Sequence, residues 1–411
     1  MIRSKSNVQL LLLVCVNYFS FALITNVIGA LIPYWKDSFQ LSATAITLLG
    51  SMFYLAYGLT SLPQGVLIDK IGNKKMFLFG VLLILFGSAV FALNPNYKAG
   101  LIALFVVGIG VTTLQLVGNL LVKKIDENTD KYSRNLALTQ VFCGIGGFAS
   151  GILTRFLLKT LGLGWQSIYY VFIAMGIILA ILVLATKIPE IAQEKSMQPD
   201  LQEYLKLIKN PSILFFAGGI FIYKGILIGI ASWLAIFLIN AHHFDKADAA
   251  LIVGLYWGFQ SLGRLLGGIM LHFIDSSRSL IIYSVCCLVS LLIAVNASLP
   301  QVSVFSFVMV GFFTSIIFPC IFSLAVNSFD QKYEGTIAGI LCTAFIGCAI
   351  VPPVIGLISD ATKSLTLSLS IVGSIAFLYV ATIGVYALFK TDKSNQNDDL
   401  NELCVVCDSV T

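Results

Sequence analysis

The sequence predicts an all-α membrane protein of twelve transmembrane helices arranged as two six-helix pseudo-repeat bundles. Three observations carry that expectation. Hydrophobic residues make up 58% and charged residues 11% of the 411, with a mean hydropathy of +0.94, more apolar surface than a soluble fold of this length can bury. The apolar residues fall in runs of about 20, the length at which a helix crosses a bilayer with its backbone polar groups satisfied internally. The longest polar break, 187–211, divides these runs six and six.

Taken in order, the first run, 8–33, is too long for the apolar core of a cleaved leader and is followed by no small-residue cleavage site, so it is expected to remain as a span. The runs 43–67 and 76–93 flank a short charged turn, and 100–123, 135–158 and 165–186 complete an N-terminal bundle over 1–186. The fifth run carries Gly144, Gly146, Gly147 and Gly151, small residues that let helices approach closely. The linker 187–211 contains Pro189, Pro199 and a short amphipathic run, 201–208, expected either as a helix on the membrane surface or as a connecting turn. The runs 212–239, 248–273, 280–298, 301–328, 334–359 and 367–389 form a C-terminal bundle over 212–389, ahead of a polar tail, 390–411, expected to be disordered.

Charge placement orients the chain. With the N-terminus inside, seventeen Lys and Arg fall in inner loops, whereas the outer ends hold only Lys36, Lys98, Arg155, Lys159, Lys246 and Lys363. The positive-inside rule therefore puts both termini in the cytoplasm, and the compact loops fit a bacterial inner membrane. The same bias accounts for the net charge of +5, and no basic stripe with interleaved aromatics points to nucleic acid. Most of the nine cysteines lie within spans, where thiols act as small apolar groups, and Cys404 and Cys407 form a lone pair in the tail. His242, His243 and His272 form no metal-ligand constellation, and no phosphate-binding Gly-rich loop ending in Lys-Ser or Lys-Thr occurs. These absences argue against an enzyme and imply no cofactor. The expected partners are a small-molecule solute and lipid, with the chain a monomer.

The turn between the second and third runs carries Gly65, Asp69, Lys70, Gly72, Lys74 and Lys75. Asp69 stands at a helix end, where a carboxylate can meet the positive dipole end of another helix and latch one conformation. The three lysines suit an anionic inner leaflet, and serve equally as topology signals.

This Gly-x-x-x-Asp-Lys-x-Gly-x-Lys-Lys turn, set among twelve runs, resembles the signature loop of the major facilitator superfamily. Within it the chain is similar to the fucose/galactose/glucose–proton symporter branch, through Ser51-Met-Phe-Tyr-Leu-Ala-Tyr-Gly58, Leu136-Ala-Leu-Thr-Gln140, Leu262-Gly263-Arg264-Leu-Leu-Gly267, Phe318-Pro319-Cys-Ile-Phe-Ser323-Leu324 and Val351-Pro-Pro-Val-Ile-Gly356-Leu-Ile-Ser359-Asp360. The resemblance implies parallel repeats with a solute site at the bilayer midplane and alternating access between the halves. It also exposes two departures. Members that couple sugar to protons resemble one another in carrying an acid in the first span, where this chain has Gly29, and a glutamate in the fourth, where it has Gln115, an amide that cannot titrate. Their proton mechanism is not carried over.

Two cations, Lys224 and Arg264, lie inside spans without an evident intramembrane carboxylate. An isolated cation there costs about 3 kcal/mol, which makes a functional role the default expectation. Lys224 sits near mid-depth of the seventh run, placed to bind an anionic solute, to titrate in place of the missing acids, or to snorkel to water. Arg264 resembles a structural arginine of the family. A sugar needs neutral donors, acceptors and aromatic faces. Asn26, Gln115, Asn119 and Gln140 in the first half, with Tyr223, Trp233, Trp257 and Gln260 in the second, are the candidates to line such a site beside Lys224. Each amide could instead tie helices together. The leading expectation is secondary transport of a small polar, sugar-like solute, by symport or uniport. An organic anion carrier using Lys224 and a non-transporting receptor or scaffold are the alternatives.

Overall fold

The computed structural model describes residues 5–125, 129–188, 207, 209–271, 273–329 and 334–408. The linker run 201–208, apart from Leu207, lies outside the described residues, as do His272 and the side chains of Asp69, Gln140, Cys404 and Cys407. The N-terminal half comprises α1 (Lys5–Phe39), α2 (Ala43–Ile71), α3 (Asn73–Leu93), α4 (Tyr97–Ile125), α5 (Thr129–Arg155) and α6 (Ser167–Ala185). The C-terminal half comprises α7 (Pro211–His242), α8 (Lys246–Met270), α9 (Ser276–Asn296), α10 (Pro300–Thr314), α11 (Ile317–Val326), α12 (Glu334–Thr343), α13 (Gly347–Thr362) and α14 (Leu365–Asp408). Together they provide twelve spans among the described residues.

Four differences from the expected boundaries have physical causes. Helix α1 runs through Pro33 to Phe39 instead of stopping at 33, because a buried span tolerates one missing N–H. The tenth span is broken between α10 and α11: Pro319 supplies no N–H for the Ser315 carbonyl, and the chain turns at Ser315 and Ile316. The eleventh span changes to a 3₁₀ turn at Ala344–Ile346 between α12 and α13. Finally, the tail expected to be disordered continues α14 to Asp408, there being no Gly or Pro after Gly384 to end the helix.

Helices α1 to α6 pack chiefly among themselves, as do α7 to α14, and the halves meet where α5 lies on α8, α2 on α13, and α1 on α7 and α8. Leu82, Phe86, Ile181, Leu184 and Phe305 point outward, as a lipid-covered perimeter requires. The helix ends at Phe39, Leu93, His242, Asn296 and Thr362 lie on the side opposite the linker and are called the far end here; Ile71, Met270 and Val326 mark the linker end.

Candidate functional site

At the linker end, the charged turn is built on Gly72, whose φ of +91° would strain any residue with a Cβ. Its N–H closes α2 on the Ile68 carbonyl at 2.9 Å. The Lys74 ammonium then donates to the Leu184 and Thr186 carbonyls at 3.1 and 3.2 Å, capping the C-terminal end of α6. The expectation that Lys74 reaches for lipid headgroups is thereby corrected: its charge is used inside the N-terminal half, because the last carbonyls of α6 lack helical partners. Lys70 and Lys75 remain exposed, and a side chain at Gly65 would meet nothing.

At the far end, charged and polar contacts join the halves. Lys246 on α8 pairs with Asp37 on α1. Arg155, ending α5, binds Asp248 on α8 at 2.7 Å, and Lys159, in the π-helical turn Phe156–Thr160 that prolongs α5, binds Asp245 and Asp248 at 2.7 Å each. On the opposite edge of the interface, Asp360 on α13 accepts hydrogen bonds from Thr44 on α2. Beneath this rim the helices touch backbone to backbone: a Cβ added to Gly29 on α1 would stand 2.4 Å from the Ala231 carbonyl oxygen on α7. The far end is closed in this conformation.

Mid-depth brings polar groups of both halves together. Gln115 on α4 lies near the Tyr57 hydroxyl on α2, and one turn along α4 the exposed Asn119 accepts from the Tyr18 hydroxyl of α1. Tyr57 stacks on Phe345 of the 3₁₀ turn, with centroids 6.1 Å apart and planes at 16°. Across the same rings, the Lys224 ammonium on α7 lies 4.7 Å from the Phe345 centroid, 4.7 Å from that of Phe318 on α11 and 5.8 Å from that of Tyr223. Lys224, Tyr57 and Gln115 are each partly accessible. The breaks in the tenth and eleventh spans thus supply two of the rings around the ammonium, consistent with irregular backbone at membrane depth being tolerated where protein buries it or a cavity borders it.

Comparison with known proteins agrees with this architecture. The model of the Major Facilitator Superfamily matches residues 11–352. The chain belongs to that superfamily. It is 30% identical over 358 residues to the glucose/galactose transporter of Brucella abortus, covering 84% of this chain and 86% of that protein. It is 24% identical to the L-fucose-proton symporter of Escherichia coli, covering 95% and 94%. Among solved structures, the nucleoside transporter NupG superposes with a TM-score of 0.75 at 13% identity, covering 94% of this chain and 99% of that one. The fucose transporter crystallised in the outward conformation gives 0.65 at 22% identity, covering 93% and 99%. The chain is accordingly a secondary transporter and an integral, multi-pass membrane protein.

Within this major facilitator the residues expected to line the site divide. The Lys224 ammonium meets the ring of Phe345, which stacks on Tyr57 near Gln115, and Asn119 lies one turn along α4 from Gln115. Tyr223 and Trp233 do not reach solvent: each is 1% exposed, and their polar hydrogens go to the Thr314 carbonyl at 2.7 Å and the Pro352 carbonyl at 3.0 Å. Tyr223 thereby satisfies a carbonyl at the end of α10, next to the helix break, which is a structural use of a ring expected to touch solute. Asn26 packs over Gly147 beside Trp257 at the crossing of α1, α5 and α8. Gln260 is 3% exposed and accepts from Arg264 at 3.4 Å, one turn along α8. Sequence reasoning missed Tyr18, Tyr57, Phe318 and Phe345. Tyr57 and Phe318 lie in two of the segments that resemble the symporter branch, whereas no sequence signal distinguishes Phe345 among 30 phenylalanines.

Proposed function

We propose that this transporter carries a small, hydroxyl-rich solute of the sugar class by alternating access between its two halves. The observation that carries the reading is the mid-depth set: Asn119, bonded to the Tyr18 hydroxyl, stands one turn from Gln115, which lies near the Tyr57 hydroxyl, and Tyr57 stacks on Phe345, whose ring also meets the Lys224 ammonium. Amides and hydroxyls suit a polyol, and ring faces suit the C–H surface of a sugar. The relatives named as glucose/galactose and fucose transporters support the same class. Transport runs with both termini in the cytoplasm, as the positive-inside bias requires, and the protein acts as a monomer in a bacterial inner membrane.

Coupling differs from proton symport through a carboxylate. Gly29 leaves no group to titrate and Gln115 is an amide, so the mechanism is uniport or an exchange that uses Lys224. Uptake of labelled hexoses and deoxyhexoses into proteoliposomes, with and without a pH gradient, tests both points. Saturable uptake unaffected by the gradient is expected of uniport, and a gradient dependence removed by Lys224→Gln is expected of exchange. Gradient-driven uptake that survives Lys224→Gln would refute the coupling reading, and absence of counterflow for every sugar would favour a receptor or scaffold.

A further inference from the structure

We infer that the solute is an acidic monosaccharide, a sugar bearing one carboxylate that pairs with the Lys224 ammonium while its hydroxyls take the amides and tyrosines. This rests on the sugar reading above and adds a charge to it.

Among the described residues the Lys224 ammonium has ring faces as its close neighbours and takes part in neither a hydrogen bond nor a salt bridge. Cation–π contacts of about 0.5–2 kcal/mol hold an ammonium in place but leave its three N–H donors unused. The backbone beneath it is fixed, since its carbonyl accepts from the Cys348 thiol at 3.5 Å. Lys224 stands thirteen residues into α7, about 20 Å along the helix at about 1.5 Å per residue, so its charge cannot simply be extended to either surface.

Among the described residues, Asp37, Asp245, Asp248 and Asp360 bind partners at the far end and Asp275 pairs with Arg278 at the linker end, so none of these five carboxylates pairs with Lys224. A neutral sugar would leave that cation without an anionic partner. A carboxylate would accept from it in a charge-assisted bond, roughly twice as strong as a neutral one. Asn119 keeps its amide N–H groups for the ring hydroxyls, because the Tyr18 contact uses only its carbonyl oxygen.

The test uses the full-length protein in proteoliposomes, comparing labelled D-glucuronate and D-galacturonate with D-glucose, D-galactose and L-fucose, and adds Lys224→Gln and Lys224→Arg. The uronates are expected to be taken up with kcat/KM about 100-fold above their neutral parents, as befits a site with an unpaired charge. Lys224→Gln is expected to abolish that preference and Lys224→Arg to retain part of it. The wild-type comparison and competition by unlabelled uronate do not depend on either variant folding. Uptake of neutral sugars with no advantage for uronates would overturn the acidic assignment and leave the sugar reading intact. Transport of neither class would overturn both.

Discussion

The Asp360 carboxylate of α13 accepts two hydrogen bonds from Thr44 of α2, from the backbone N–H at 3.1 Å and the hydroxyl at 2.7 Å. Thr44 is the second residue of its helix, so an acid from one half completes the N-terminal cap of a helix in the other. This is the same chemistry expected of Asp69 at the linker end, whose side chain lies outside the described residues. Separating the halves at the far end requires giving up that cap.

Asp360→Ala should therefore favour opening of the far end. A hydrogen bond to a charged group contributes about 1.5–3 kcal/mol when buried; Asp360 is only partly buried, so a shift of about 1 kcal/mol, roughly fivefold in the ratio of open to closed, is expected. Pulsed electron paramagnetic resonance between labels at Gln40 and Lys363 would report it as a larger long-distance fraction. An unchanged distribution would remove Asp360 from the clamp.

Acidity should loosen the same rim only at low pH. The Lys159 ammonium and the Ala247 N–H both donate to the Asp245 carboxylate and hold it below the usual carboxylate range. A lowered value means that the contribution of Asp245 is complete above the ordinary aspartate value of about 3.9 and is lost as pH falls through the lower value of the closed state. The label distances should thus hold from about pH 7.5 to about pH 5 and lengthen only near pH 4 or below. Opening already at about pH 6 would contradict this.

Gly29→Val should be more disruptive than any single loss of charge. Even a methyl group at this position would stand 2.4 Å from the Ala231 carbonyl oxygen, and neither backbone can yield without moving α1 from α7. Transport should fall at least about tenfold, equivalent to about 1.4 kcal/mol, while the protein remains in the membrane with its far end wedged apart. Normal uptake by this variant would show that the closed far end is not part of the cycle.

Tyr57→Phe keeps the ring stacked on Phe345 and removes only the hydroxyl offered to the solute. Loss of one neutral hydrogen bond costs about 1 kcal/mol, so KM for the transported solute should rise about fivefold with little change in maximal rate. Initial-rate uptake across a range of concentrations measures this, and a change confined to maximal rate would assign Tyr57 to conformational change instead.

Lys74→Met should destabilise the N-terminal half through loss of the α6 cap. Two donated bonds disappear from a partly accessible site, a loss of about 0.5–1 kcal/mol that should lower the thermal unfolding midpoint in detergent by a few degrees. Lys75→Met, at an exposed neighbour, serves as the control and should leave the midpoint in place.

The twelve spans were legible because each is a long apolar run whose length is dictated by the bilayer, and Lys224 was legible because an ammonium in such a run is chemically conspicuous. Tyr223 and Trp233 misled for a physical reason. A large ring with one polar hydrogen serves a solute and a stranded carbonyl equally well, and both residues turned inward to the carbonyls of Thr314 and Pro352. The pairings across the far end were invisible for another reason. Residues as distant in sequence as Thr44 and Asp360 meet only through the packing of two whole halves, which no local pattern encodes. Pro319 was quoted as part of a family resemblance, yet its missing N–H is what interrupts the tenth span and sets Phe318 beside Lys224.

The interruptions in the tenth and eleventh spans have a mechanical consequence. Below them, α11 and α12 are rods of ten residues each, short enough to pivot about their joints while the longer helices stay where they are. Because Phe318 and Phe345 stand at the joints themselves, such a bend would move the linker-side rods while leaving both rings beside the ammonium.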